Sequence, residues 1–258
     1  MKSISEDHAT YRTKPLRVSY LRRIFPSLCF YPGFFSIVTK FSLLSQRGKF
    51  SNDGWWASSF DVLQLLESVG VTIEINGLDN IRSVEGPVVF IGNHLSMLET
   101  VALPSIVLPY KPITFVIKQS LLDYPVFKHV MRASNPVAVS RTNPRQDLKV
   151  VLEQGQQRLA SGTSMIIFPQ TTRTAFDPQQ FSSIGIKLAR KAGVPVIPLA
   201  LLTDAWENGN KIKDLGRIVP ARKAYFSFGE KLEISGKGTT EHQRIIDFIQ
   251  DHLNRWMT

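Results

Sequence analysis

"GPVVFIGNHLSMLET", residues 86–100, is a short apolar run that ends in Asn-His and then opens a new segment. Four consecutive apolar residues after a Gly-Pro turn suit a strand buried on both faces, the kind found in parallel sheets. Ser96 and Glu99 form S-x-x-E, the signature of a capping box, so a helix is predicted from Ser96. Strand, polar turn and helix in this order make the first half of a β-α-β unit.

The same alternation extends outward. "VTIEING" (71–77), "ITFVIK" (113–118), "PVAVSR" (136–141), "TSMIIFP" (163–169), "VPVIPLALL" (194–202) and "KAYFSFGEKLEI" (223–234) read as strands. Helices are predicted over residues 53–70, 121–134, 143–162, 181–193 and 239–257. The third has Asn143 as N-cap, Pro144 at the first helical position and Gly162 as its stop. The fold class is therefore α/β, a mostly parallel mixed sheet covered by helices on both faces. Residues 51–258 form that domain, and residues 1–50 are a segment of different character.

That segment is basic and oily. The chain of 258 residues carries a net charge of +10. Nine Lys/Arg against only Glu6 and Asp7 place most of this excess in residues 1–50. Between them lies "IFPSLCFYPGFFSIVTKFSLL", residues 24–44. Apolar bulk with flanking cations fits a helical segment at an anionic membrane interface. Its length barely suffices to span a bilayer, and Pro26, Pro32 and Gly33 argue against one straight helix. A monotopic or peripheral attachment is thus favoured over a span, with burial against the domain as the alternative. Nucleic acid is disfavoured as a partner, because the charge surrounds apolar residues. The single cysteine, Cys29, excludes an internal disulfide, and no cleavable export signal is evident at the start.

In such a sheet, functional groups gather where strands end. His94 follows one strand, Ser140-Arg141 another, and Thr171-Thr172-Arg173 a third. Five residues along a helix turn through ~140°, so Glu99 reaches His94 only if the histidine precedes the helix. Glu99 would then orient the imidazole as a base. The competing reading is that Glu99 only caps the helix, and taken alone these residues favour it. Arg141 and Arg173 could clamp a phosphate, with Lys118 at the end of "ITFVIK" in support; each singly also fits a surface ion pair. There is no G-x-S-x-G elbow, Walker loop, G-x-G-x-x-G or metal-binding His spacing.

"NHLSMLE", "VAVSR", "FPQTTRT" and "VPVIPLAL", in this order, resemble the four sequence blocks of the glycerolipid acyltransferase family, most closely its lysophosphatidic acid acyltransferase branch. The resemblance implies an α/β domain with an N-terminal membrane-embedded helical element. By it, His94 is a general base and Glu99 its orienting partner. Arg141, Arg173, Lys118 and Thr172 bind the acceptor. No resident cofactor or metal is implied; acyl-CoA or acyl carrier protein is the co-substrate. The expected reaction joins a fatty acyl group to a lysophospholipid hydroxyl at the cytoplasmic face of a membrane. Three positions depart from the family pattern: Glu99 for Asp, Gln170 for Glu and Thr171 for Gly. They bear on the acceptor, leaving open a lyso-aminolipid substrate or a non-catalytic lipid-binding role.

Overall fold

Strand β3 (Val89–Gly92) lies inside an eight-stranded sheet in the computed structural model, which describes residues 9–258 apart from Leu16, Val126 and Thr171. The charges read at Lys2, Glu6 and Asp7 lie outside the described residues. The other strands are β1 (Thr10–Arg12), β2 (Ile73–Asn76), β4 (Ile113–Lys118), β5 (Val137–Val139), β6 (Ser164–Ile167), β7 (Val196–Leu202) and β8 (Ala224–Phe228). Helices are α1 (Tyr20–Ile24), α2 (Pro26–Gln46), α3 (Asn52–Ser68), α4 (Leu78–Arg82), α5 (Met97–Val107), α6 (Lys128–Ala133), α7 (Pro144–Ala160), α8 (Ile184–Ala192) and α9 (Thr239–Met257).

The sheet order is β1-β2-β8-β7-β3-β6-β4-β5. β7, β3, β6, β4 and β5 run parallel, whereas β8 pairs antiparallel with β7 and β1 with β2. All four residues of β3 are buried, as its unbroken apolar composition requires. One face of the sheet carries α2, α3 and α5, around Phe30, Leu63, Leu66, Leu103 and Phe90. The opposite face carries α7, α8 and α9, around Val151, Leu188, Ile245 and Ile249. This is the mostly parallel mixed sheet read from the sequence.

Two local expectations fail for identifiable reasons. The helix predicted over 121–134 is broken into a 3₁₀ turn at Gln119–Asp123 and α6. Tyr124 is extended there (ψ 125°), the conformation imposed on a residue that precedes proline. Conversely, α2 continues through Pro32 and Gly33, where the sequence predicts a break. Tertiary packing overrides propensity: Phe30, Phe34, Val38 and Phe41, spaced by three or four, are buried in the core. Gly33 allows the close approach to α3, since a Cβ there would lie 2.9 Å from a Leu65 methyl. Residues 26–46 thus share the core of the domain on one face. Their other face is exposed and apolar, with Leu28 at 72% and Leu43 at 46% exposure.

Candidate active site

The chain leaves β3 at a point secured from both sides. The Asn93 carboxamide accepts from the Leu201 N–H at 2.9 Å and donates to the Leu201 carbonyl at 2.7 Å, extending the sheet pairing through a side chain. Gly92 is needed just before it, because a Cβ would lie 2.7 Å from the Leu199 carbonyl oxygen on β7. His94 then projects from the strand end. Its N–H donates to Gln170 Oε1 at 3.2 Å, and its carbonyl accepts from the Thr174 N–H at 3.2 Å. The imidazole stacks on Phe168, with centroids 4.4 Å apart and planes within 3°.

Imidazole Nδ1 is hydrogen-bonded to Glu99 Oε2. The other carboxylate oxygen, Oε1, accepts from the N–H groups of Leu95 (2.7 Å) and Ser96 (2.9 Å) and from the Thr203 hydroxyl (2.6 Å). Ser96 Oγ completes the capping box by accepting from the Leu98 N–H at 3.1 Å. The two sequence readings of Glu99 are therefore compatible in geometry, one for each oxygen. A fully buried carboxylate is tolerable here because four donors surround it. With Nδ1 engaged, Nε2 is the ring nitrogen left for a substrate.

A cationic group stands nearby. Arg141 follows β5 with φ of +63°, and this left-handed turn is held by Asp147 in the first turn of α7. Asp147 accepts from the N–H groups of Ser140 and Arg141, both at 2.8 Å. Burial, then the nearby Arg173 charge, pull the Arg141 guanidinium below its usual range, with Asp147 opposing. Arg173 Nη2 is ion-paired with Asp214. Lys213 donates to the Thr172 hydroxyl at 2.5 Å. Its ammonium is pulled below the usual lysine range by desolvation and then by Arg173 and Arg141.

His94, Arg173 and Asp214 line one cavity of about 140 Å³. From them it continues between α2, α3, α5 and α6 as an apolar channel lined by Val38, Phe41, Trp55, Val101 and Met131. A proton acceptor and a cation thus stand at one end of a space that suits a hydrocarbon chain.

Of the residues read from the sequence, His94 meets Glu99, Arg173 shares the cavity, and Arg141 lies within electrostatic reach of Arg173. Thr172 is bonded to Lys213. Lys118 is exposed at the end of β4, opposite Val139, and contributes to neither of the shifts at Arg141 and Lys213. Thr171 lies outside the described residues. Sequence reasoning missed Lys213, Asp214, Thr203 and Asp147 as site-builders. The first three lie 41, 41 and 104 residues from the partners they bond, beyond any local pattern. Asp147 could have been found as an acidic residue in the first turn of a predicted helix next to Arg141.

The fold and this site define a class. Residues 72–202 match the family described as Acyltransferase, and the chain belongs to that family. It is similar to a 1-acyl-sn-glycerol-3-phosphate acyltransferase of Pseudomonas aeruginosa, 36% identical over 51% of this chain and 49% of that one. A chloroplastic enzyme of the same description from Brassica napus is 31% identical over 50% of this chain and 37% of its own length. The matched stretch thus covers half or less of these curated relatives. The fold resembles the crystal structure of the 1-acyl-sn-glycerophosphate acyltransferase of Thermotoga maritima, with a TM-score of 0.61 at 18% identity. That similarity covers 91% of this chain and 96% of the other.

Proposed function

We propose that this chain is a membrane-associated O-acyltransferase that esterifies the free hydroxyl of 1-acyl-glycerol-3-phosphate, with an acyl thioester of coenzyme A or acyl carrier protein as donor. The observation that carries this reading is the shared cavity of His94 and Arg173, continuous with an apolar channel. Nε2 of His94 takes the hydroxyl proton as the oxygen attacks the thioester carbonyl. Glu99 keeps the opposite nitrogen protonated and steadies the imidazolium that forms. Collapse of the tetrahedral intermediate breaks the C–S bond, and the imidazolium returns the proton to the leaving thiolate. The products are a diacyl lipid and a free thiol. General-base help of this kind is worth ~10²–10⁴-fold, and holding both chains in line adds to it.

Membrane attachment rests on the outer face of α1 and α2. Tyr20 (77% exposed), Leu21 (66%), Phe25 (50%) and Leu28 (72%) are exposed apolar residues of this region, with Arg22 and Arg23 exposed among them and Lys40 exposed further along α2. α2 is long and apolar enough to cross a bilayer, but its other face is committed to the core. The helix therefore lies in the interface and seats the protein on the cytoplasmic face, where acyl thioesters are supplied.

Product analysis tests the proposal. Radiolabelled acyl-CoA and acyl carrier protein are offered with 1-acyl-glycerol-3-phosphate, its phosphocholine diester and a lyso-aminolipid. Labelled phosphatidic acid is expected as the main product. Free fatty acid alone would make the chain a hydrolase, and absence of turnover would favour a lipid-binding role.

A further inference from the structure

The segment between β7 and β8 brings two charged residues into the site from outside the four sequence blocks. Asp214 holds Arg173 through Nη2, with side chains only 16% and 13% exposed. Nη1 of the same guanidinium is buried and has no hydrogen-bond partner among the described residues. An unpaired donor of this kind in the wall of a cavity calls for an acceptor. Lys213, one residue earlier, reaches the Thr172 hydroxyl at 2.5 Å, next to Arg173 in sequence.

Arg141 and Lys213 lie close enough to Arg173, which lines the cavity, for the three positive charges to repel one another. Asp147, beside Arg141, and Asp214, beside Lys213, oppose part of that repulsion. A ligand with several anionic oxygens relieves both the repulsion and the unpaired donor.

The segment is also fastened where such a role requires it. Asn208 donates to the carbonyl of Leu95, the residue after His94, at 2.8 Å. Tyr31 of α2 donates to the Gly216 carbonyl, and the Ile218 N–H donates to Ser27 Oγ at 3.0 Å. Lys213 and Asp214 are thereby registered against the base on one side and the interfacial helix on the other.

We infer that the segment Asn208–Ile218 is an acceptor-recognition loop, in which Lys213 binds the phosphomonoester of the acceptor together with Arg173 and Arg141, and Asp214 is a positioning residue that fixes the Arg173 guanidinium. This assignment rests on the acyl-transfer reading for its substrate. It adds a cation and a carboxylate that none of the four sequence blocks contains.

The test uses the full chain in detergent micelles with two independent readouts. In steady-state transfer, Lys213→Ala and Asp214→Asn are each expected to raise KM for 1-acyl-glycerol-3-phosphate about tenfold or more, since each removes a charged contact. KM for the thioester and kcat stay near wild type. Lys213→Arg and Asp214→Glu should recover most of the loss, and Lys211→Ala in the same loop should change nothing. The second readout is binding of radiolabelled 1-acyl-glycerol-3-phosphate without thioester, with monoacylglycerol as the phosphate-free control. It stays informative even if the wild-type chain transfers no acyl group. Loss of phosphate-dependent binding in Lys213→Ala supports the loop assignment, and wild-type binding by that variant overturns it.

Discussion

Glu99 divides its two oxygens between His94 and the start of α5. Oε2 meets the imidazole Nδ1, while Oε1 gathers the N–H groups of Leu95 and Ser96 and the Thr203 hydroxyl. Helix start and ring orientation are thus set by one buried side chain. The two tasks separate under substitution. Glu99→Gln retains an acceptor for the helix but can present its N–H₂ to Nδ1, driving the ring proton to Nε2 and removing the base. Its kcat is expected to fall ~10²–10⁴-fold with a small change in Tm. Glu99→Ala should destabilise by at least about 1–3 kcal/mol, because it leaves buried N–H and hydroxyl donors unpaired. Kinetics and thermal unfolding on both variants check this; if both unfold early but turn over normally, Glu99 only caps.

Gln170 invites a test against its family pattern. Its Oε1 accepts from the His94 N–H, and its Nε2 donates to the Ala175 carbonyl at 3.1 Å. A glutamate side chain in its place could not make the second bond and would set a carboxylate oxygen against a carbonyl. Gln170→Glu is therefore expected to lose about 1–3 kcal/mol of stability, although it restores the residue common in the family. An unchanged or raised Tm would contradict the strut role.

Chain-length preference follows from the channel. Val101 lines it from α5. Val101→Phe fills space without touching His94 or Arg173, so kcat/KM should shift toward shorter acyl donors. Competition between donors of different length measures the shift, and an unchanged profile would place the acyl chain elsewhere.

The two faces of α2 should behave oppositely. Leu28→Glu with Leu43→Glu is expected to reduce sedimentation with anionic vesicles while Tm is kept, because both side chains are exposed. Phe34→Ala should instead cost about 3–5 kcal/mol as a core truncation, with Phe34 buried against Trp206. Deleting residues 1–45 removes both faces at once and is expected to destabilise the whole domain.

Acceptor binding should depend on pH through Lys213. Desolvation and the neighbouring guanidinium groups lower its pKa in the free protein. The ammonium that binds phosphate is present below that value and is lost as pH rises through it. On the alkaline side, kcat/KM for the acceptor should therefore decline at a lower pH than an ordinary lysine would give. Lys213→Arg should move that decline upward, since a guanidinium keeps its proton. Identical alkaline limbs in the two proteins would assign the titration to another group.

Much of the architecture was legible because strand and helix periods are local signals. β3, β6 and β7 appear as short apolar runs, and Asn143, Pro144 and Gly162 bracket α7 within two residues. Illegible features depend on contacts distant in sequence. Pro32 reads as a breaker until Phe30, Phe34 and Trp206 are seen to hold α2 together. The capping box and the orienting carboxylate looked exclusive because a sequence does not show that Glu99 has one oxygen for each. Lys213 and Asp214 sit in a polar loop without a motif, and only its fastening to Leu95 and Tyr31 brings them beside Arg173.

The central claim is that His94 removes the acceptor proton while the cations hold the acceptor. Single-turnover transfer from a radiolabelled thioester to 1-acyl-glycerol-3-phosphate, by wild type and His94→Ala, measures this directly when acceptor binding is recorded on the same preparations. Wild type is expected to form the diacyl product, and His94→Ala to bind the acceptor equally while transferring ~10²–10⁴-fold more slowly. Transfer by His94→Ala at the wild-type rate would contradict the account.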